Sequence, residues 1–199
     1  MSKIMNYSSE NILNNGIRLI CNIDMPVSGE ESDEIYAERL ESLGIILDNQ
    51  YLTSIKRVLM SYEKSSLPQK FITNQKILIK NLPTYNGLYG MFDHWYDDII
   101  ADANTISEVY HGVSSSFLFG HEMGHKLYKY KSNEELLRGI ANILDISAYG
   151  NDYIITETFS DECGNLISPI ICEHDILPFP LEDTKREGIQ RLILENVYK

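Results

Sequence analysis

Residues 114–130 read SSSFLFGHEMGHKLYKY, and the interpretation of the whole chain turns on them. From Val113 to Tyr130 the spacing predicts one helix, with His121, Glu122 and His125 forming an H-E-x-x-H in its middle. Positions four apart on a helix share a face, so both imidazoles point the same way. Two ring nitrogens held like this can take two corners of a tetrahedral zinc, about 2.0–2.1 Å from the ion. Glu122 stands beside the first histidine, placed to take a proton from a zinc-activated water without ligating the metal. Chance alone supplies such a motif in roughly one chain in a hundred of this composition, so its mid-helix setting matters. Gly120 and Gly124 each cost about 1 kcal/mol inside a helix. A helix that accepts both is expected to pack closely on other backbone.

A third ligand must come from elsewhere. Tyr128 and Lys131 stand where the metzincin pattern needs Gly and His, which excludes that class. Glu134 and Glu135 follow too soon on the chain to fold back easily, and His174 reads as a surface histidine in a Pro-flanked segment. Glu157 is the preferred ligand. Asp161 follows it by one helical turn in ETFSD, a spacing that suits a carboxylate holding the far nitrogen of a ligating histidine. The plainer reading of the pair is acids placed for the helix dipole, and Glu162, on another face, is the fallback ligand. Tyr149 occupies the break before this helix, from which a phenol could stabilise an oxyanion. A packing tyrosine is the ordinary alternative among thirteen. Cys163 and Cys172 read as buried small hydrophobes, with no Cys-x-x-Cys between them.

Outward from the motif, the pattern gives a strand at 17–23, helices over 29–43 and 50–63, a strand at 76–82, a turn-rich loop, and a strand at 94–103. The end of that last strand is either an open sheet edge able to pair with an extended peptide, or a plain edge guarded by Asp97 and Asp98. The 87–90 loop would be its flexible lip. Beyond the motif, Ser132 and Glu135 suggest a capping box opening a helix to about Ala148. Helices over 155–167 and 183–197 follow. The expected architecture is α+β and zincin-like, with a small mixed sheet, an active-site helix and a helical C-terminal half. It forms a single domain over 1–199, with a helical N-terminal part at 1–64 and a catalytic core at 65–199.

Composition narrows the partners. The 199 residues carry 17 Lys and Arg against 29 Asp and Glu, a net charge of −12, which argues against nucleic acid and anionic membranes. No apolar run is long enough for a membrane span. Three cysteines are too few for a disulfide framework. The first residues lack the apolar stretch of a signal peptide, so the expectation is a cytoplasmic protein, or one delivered by an unconventional route. Oligomeric state is not legible.

The second half resembles the family of anthrax lethal factor and the Pro-Pro endopeptidases of clostridia and bacilli. The matching features are Leu67-Pro68, the strand at 76–82, the 87–90 loop, the strand at 94–103, HEMGH at 121–125, Ala148-Tyr149-Gly150 and ETFSD at 157–161. The likeness covers about residues 65–170, and its specific parts are HEMGH with the Tyr and Glu block. It implies a gluzincin zinc endopeptidase acting on a protein or peptide, with His121, His125 and Glu157 on the metal, Glu122 as base and Tyr149 assisting. Asp161 stands where that family usually has Glu, the Tyr149–Glu157 spacing is one residue longer, and the N-terminal segment has no counterpart. ETFSDECGNLISP at 157–169 is also similar to a shortened form of the third-ligand region of the ImmA/IrrE peptidases, which cleave repressors in the cytoplasm. Both likenesses imply the same metal, base and reaction. The opposing class is a zinc-binding recognition module without catalysis.

Overall fold

Apolar residues alternate along three strands of this protein, and the strands pair so that those positions fall in rows. In the computed structural model, which describes residues 3–13, 16–27, 34–35, 37–39, 41–42, 44, 60, 74–82, 90–102, 115–166 and 180–197, β1 (Lys3–Ile12) pairs antiparallel with β2 (Arg18–Val27). β2 runs parallel to β3 (Lys76–Lys80), β3 parallel to β5 (Asp98–Asp102), and β5 antiparallel to β4 (Gly90–Asp93). Across this order, β1-β2-β3-β5-β4, Leu19 sits opposite Ile77 and Ile77 opposite Ile99. Cys21, Ile79 and Ala101 make the next row, and all six side chains are buried. Side chains two apart on a strand share a face, so the two rows are one apolar face of a mixed sheet.

The sheet departs from the sequence expectation in three places. The expected strand at 17–23 is β2, but the expected helical N-terminal part opens on β1, which belongs to no expected element. Its outward positions are Asn6, Ser8 and Glu10, held by polar links: Asn6 Nδ2 donates to Asp24 Oδ1 at 2.8 Å, and Arg18 pairs with Glu10 at 2.7 Å. A polar edge strand leaves no apolar alternation to read. The expected strand at 94–103 is a hairpin arm: residues 94–97 form the turn between β4 and β5, with Asp97 in the left-handed region at φ 56°. Finally, β5 lies between β3 and β4, so it is interior and β4 is the edge.

Contacts divide the chain into two compact units, Met1–Ser54 with Ile72–His111, and Ile55–Phe71 with Gly112–Lys199. The sheet belongs to the first. The second is built from α1 (Ser115–Lys131), α2 (Glu134–Leu144), α3 (Asp152–Asn165) and α4 (Asp183–Asn196). The α+β class and helical C-terminal half therefore stand. In the region expected as a helix over 29–43, residues 34–35, 37–39 and 41–42 are helical. The expected helix at 50–63 (Met60 apart), Leu67-Pro68, residues 87–89, Cys172 and His174 lie outside the described residues. Among the described residues no helix is long and apolar enough to cross a membrane.

α1 is buried all round from Phe117 to Gly124, the pattern of a helix inside a core, and only its last turn reaches solvent at Lys129 and Tyr130. α2 is amphipathic, burying Leu136, Ile140, Ala141 and Leu144, while Ile189 and Ile193 of α4 are also in the core. Its cap is Asn133 and not Ser132: the Asn133 side chain accepts from Leu136 N–H at 2.8 Å. Asn serves as well as Ser there, and the shift puts Glu135 one residue short of its place in a capping box. α2 stops at Leu144 because Asp145 turns left-handed at φ 59°. Gly150, at φ 82°, makes the break that a side chain would strain. α3 then begins at Asp152, earlier than expected.

Candidate metal centre

α1 and α3 run antiparallel, which sets their residues opposite one another in a fixed ladder. Tyr128 meets Phe159 edge-on, with ring centroids 5.5 Å apart. Gly124 faces Ser160, and Gly164 faces Phe117. At Gly124 a Cβ would stand 2.7 Å from Ser160 Cα, a distance real side chains do not tolerate. The expected close approach of the motif helix to other backbone is this crossing. It brings His121 and His125 of α1 against Glu157 and Asp161 of α3.

His121 Nε2 and His125 Nε2 lie 3.0 Å apart, and Glu157 Oε2 lies 3.5 Å from the first and 3.6 Å from the second. His121, His125 and Glu157 form a group able to hold a metal ion. Ligands at zinc–nitrogen and zinc–oxygen bond lengths in a tetrahedron stand about 3.3 Å apart. In the plane of the three atoms, the point equidistant from them lies about 2.0 Å from each, within reach of a zinc bond length. Two imidazoles and one carboxylate also form a donor set that zinc accepts while keeping a further coordination position.

Asp161 Oδ1 is 2.9 Å from His121 Nδ1. An Nδ1–H donated there leaves the Nε2 lone pair aimed at the cluster, the usual way a carboxylate fixes a ligating histidine. Burial opposes a charge on His121, but hydrogen bonds to Asp161 and Glu157, with the negative charges of Glu122 and Asp161, outweigh it and push its pKa up to about 10. His121 and Glu122 are both only 4% exposed. The Glu122 carboxylate is thus buried next to His121 in sequence and close enough for its charge to act on that histidine.

The fallback ligand, Glu162, faces elsewhere. Its Oε2 accepts from Gln190 Nε2 at 2.7 Å, and its Oε1 accepts from Asn165 Nδ2 at 3.2 Å and lies 3.4 Å from Arg186 Nε. Burial raises its pKa against those partners. It ties α3 to α4, a role the sequence reading missed; an arginine among the apolar positions of α4 was the available signal. Tyr149 lies in the turn before α3, 94% exposed; its backbone N–H donates to Ser147 Oγ, and its hydroxyl has no partner among the described residues. Cys163 is a buried free thiol, and burial lifts its pKa well above the ordinary thiol value. No protein-family model, curated protein or solved structure matches the chain.

Proposed function

We propose that this protein is a zinc-dependent endopeptidase of the gluzincin type, with His121, His125 and Glu157 as metal ligands. The observation that carries the reading is the triangle of Nε2, Nε2 and Oε2 atoms with 3.0, 3.5 and 3.6 Å sides, fitted to one small ion. A zinc ion held by these three residues would supply Lewis acidity and lower the pKa of a nearby water. Glu122 takes the proton of the attacking water and passes it to the leaving amine, the work of a general base that becomes a general acid. Asp161 holds the His121 ring in the ligating tautomer, and burial of α1 keeps bulk water from competing for these groups. Tyr149 is assigned a supplementary hydrogen bond to the oxyanion, which requires its exposed ring to meet bound substrate. The lethal-factor-like and Pro-Pro endopeptidase likeness supports the same assignments.

Emission spectroscopy on the purified protein should find one zinc per chain. A combinatorial peptide library incubated with the zinc-loaded protein should then show cut sites that vanish with a chelator. Zinc without cleavage of any peptide would make the protein a recognition module, and cleavage confined to repressor-type proteins would favour the ImmA/IrrE-like alternative.

A further inference from the structure

The turn at residues 94–97 presents the chain's one tryptophan to solvent. Trp95 is 94% exposed and Tyr96 78%, whereas large aromatic side chains are mostly buried in folded domains. The backbone beneath them is held in place. Asp93 Oδ1 accepts from the Trp95 N–H at 2.9 Å and the Tyr96 N–H at 3.2 Å, and Gln75 Nε2 donates to the Asp97 carbonyl at 2.7 Å. Below the turn, His94 stacks edge-on against buried Phe92 at 4.9 Å, and Lys76 pairs with Asp98 at 3.2 Å. The indole N–H and the Tyr96 hydroxyl have no hydrogen-bond partner among the described residues. Two rigid aromatics on a braced turn lose little entropy on binding, the property that makes Trp and Tyr interface anchors.

The surrounding charge says what they would anchor. Residues 93–98 read DHWYDD, three carboxylates in six residues of a chain of net charge −12. Anionic lipid is repelled by that field, and pressing an aromatic tip into any bilayer would bring Asp93 and Asp97 to its surface. A Lys or Arg side chain gains twice here, from the faces of the two rings and from the carboxylates. We infer that the β4–β5 turn docks a basic polypeptide segment, with Trp95 and Tyr96 as the contact and Asp97 as the charge partner. This inference does not rest on the proposed metal centre, so either can fail alone.

Because Trp95 is the sole tryptophan, its fluorescence reports on this turn alone. The probes are ten-residue peptides carrying two to four Arg among Pro, Leu and Gly, with Glu-for-Arg versions as controls. The expected result is a saturable blue shift with at least one Arg peptide and none with its Glu counterpart. By calorimetry, Trp95→Ala and Tyr96→Ala should each bind at least tenfold more weakly with unchanged melting temperatures. Asp97→Asn, which tolerates the left-handed backbone, should flatten the salt dependence. Undiminished binding by the Trp95→Ala/Tyr96→Ala double variant, or no response to any Arg peptide up to millimolar concentration, overturns the inference. A blue shift with phosphatidylcholine vesicles and not with peptides overturns it in favour of a membrane.

Discussion

Gly124 stands against Ser160 so closely that a Cβ would sit 2.7 Å from the Ser160 Cα, and on either side of this contact His121 meets Asp161 and His125 meets Glu157. The spacing between the two helices is therefore also the spacing within the cluster of His121, His125 and Glu157. A bulkier residue at 124 must push α3 backbone, which cannot yield as a flexible side-chain end can.

Gly124→Ala should accordingly destabilise the fold and loosen the metal site together. Alanine gains about 1 kcal/mol in helix propensity, but overpacking against backbone costs about 1–3 kcal/mol, and the second effect wins. Zinc affinity should fall at least tenfold. Gly139→Ala is the matched control: there a Cβ meets the Leu192 Cδ1 at 2.9 Å, a mobile methyl, so propensity should win and melting temperature hold or rise. Thermal melts with and without zinc check both. Equal behaviour of the two variants would detach the crossing from the site.

Glu157 and Glu162 should separate metal binding from stability. Glu157→Ala should strip most of the zinc and remove the stabilisation zinc gives the folded state. Glu162→Ala removes the buried carboxylate beside Arg186, which keeps its bond to Asp183, and takes away the acceptor of the Gln190 and Asn165 side-chain bonds, a loss of about 1–3 kcal/mol. Glu162→Gln, the milder change, should keep one zinc per chain at a lower melting temperature. Metal analysis that reverses the two residues would move the ligand five positions along α3.

That Glu157 and Asp161 come to lie beside the motif histidines was legible in the sequence because ETFSD sets both acids on one helix face. α1 was legible as a helix for the same kind of reason, period and length together, with ends at 113 and 130 against Ser115 and Lys131. What failed was local chemistry with near-equal options. Ser132 and Asn133 cap almost equally well, and the difference lies in where α2 has to start to bury Leu136 and Ile140. β1 failed because its stabilising links are between polar side chains on neighbouring strands, which no single-strand pattern displays. Residues 94–103 failed because HWYDD carries β-forming aromatics through a turn, and only the pairing of β4 with β5 shows that Trp95 and Tyr96 are its tip. The use of Glu162 by α4 is likewise a tertiary fact.

Zinc uptake should be proton-coupled at His121. In the metal-free protein its folded pKa, about 10, lies above the ordinary 6.5. A raised folded pKa means this histidine's stabilisation is fully present below about pH 6.5 and is lost as pH climbs toward about 10. Zinc takes the unprotonated ring. Apparent affinity should therefore rise with pH, by about tenfold per unit between pH 7 and 9, with one proton released per zinc. Chelator competition across that range, with calorimetry in buffers of different ionisation heat, measures both quantities. Asp161→Asn should lower affinity by about tenfold to a hundredfold and weaken the pH dependence. A flat pH profile in the unmodified protein would remove the proton from the mechanism.

Glu122→Gln tests the base without disturbing its neighbours' packing. Zinc content and melting temperature should stay near those of the parent protein, while turnover of any cleaved peptide falls by several orders of magnitude. Retained turnover would assign the proton to another group.

Tyr149→Phe is the sharpest test of the remaining assignment, because the structure makes its alternatives easy to separate. The ring is 94% exposed and its hydroxyl bonds to nothing among the described residues, so removing that oxygen leaves no orphaned partner and creates no cavity. Melting temperature and zinc content should therefore be unchanged whichever role is right. If the phenol donates to the oxyanion once substrate is bound, kcat should drop while KM holds, since the bond exists only as charge develops. Loss of one such donor costs about 2.7–4 kcal/mol where it is preorganised. Here Gly150 lets the turn adjust and water competes for the hydroxyl, so a fall of about tenfold to a hundredfold is expected, below that range. An unchanged kcat would leave Tyr149 a solvent-facing tyrosine and weaken the likeness to lethal-factor-type peptidases, while the proposed ligand set of His121, His125 and Glu157 would rest on its own distances.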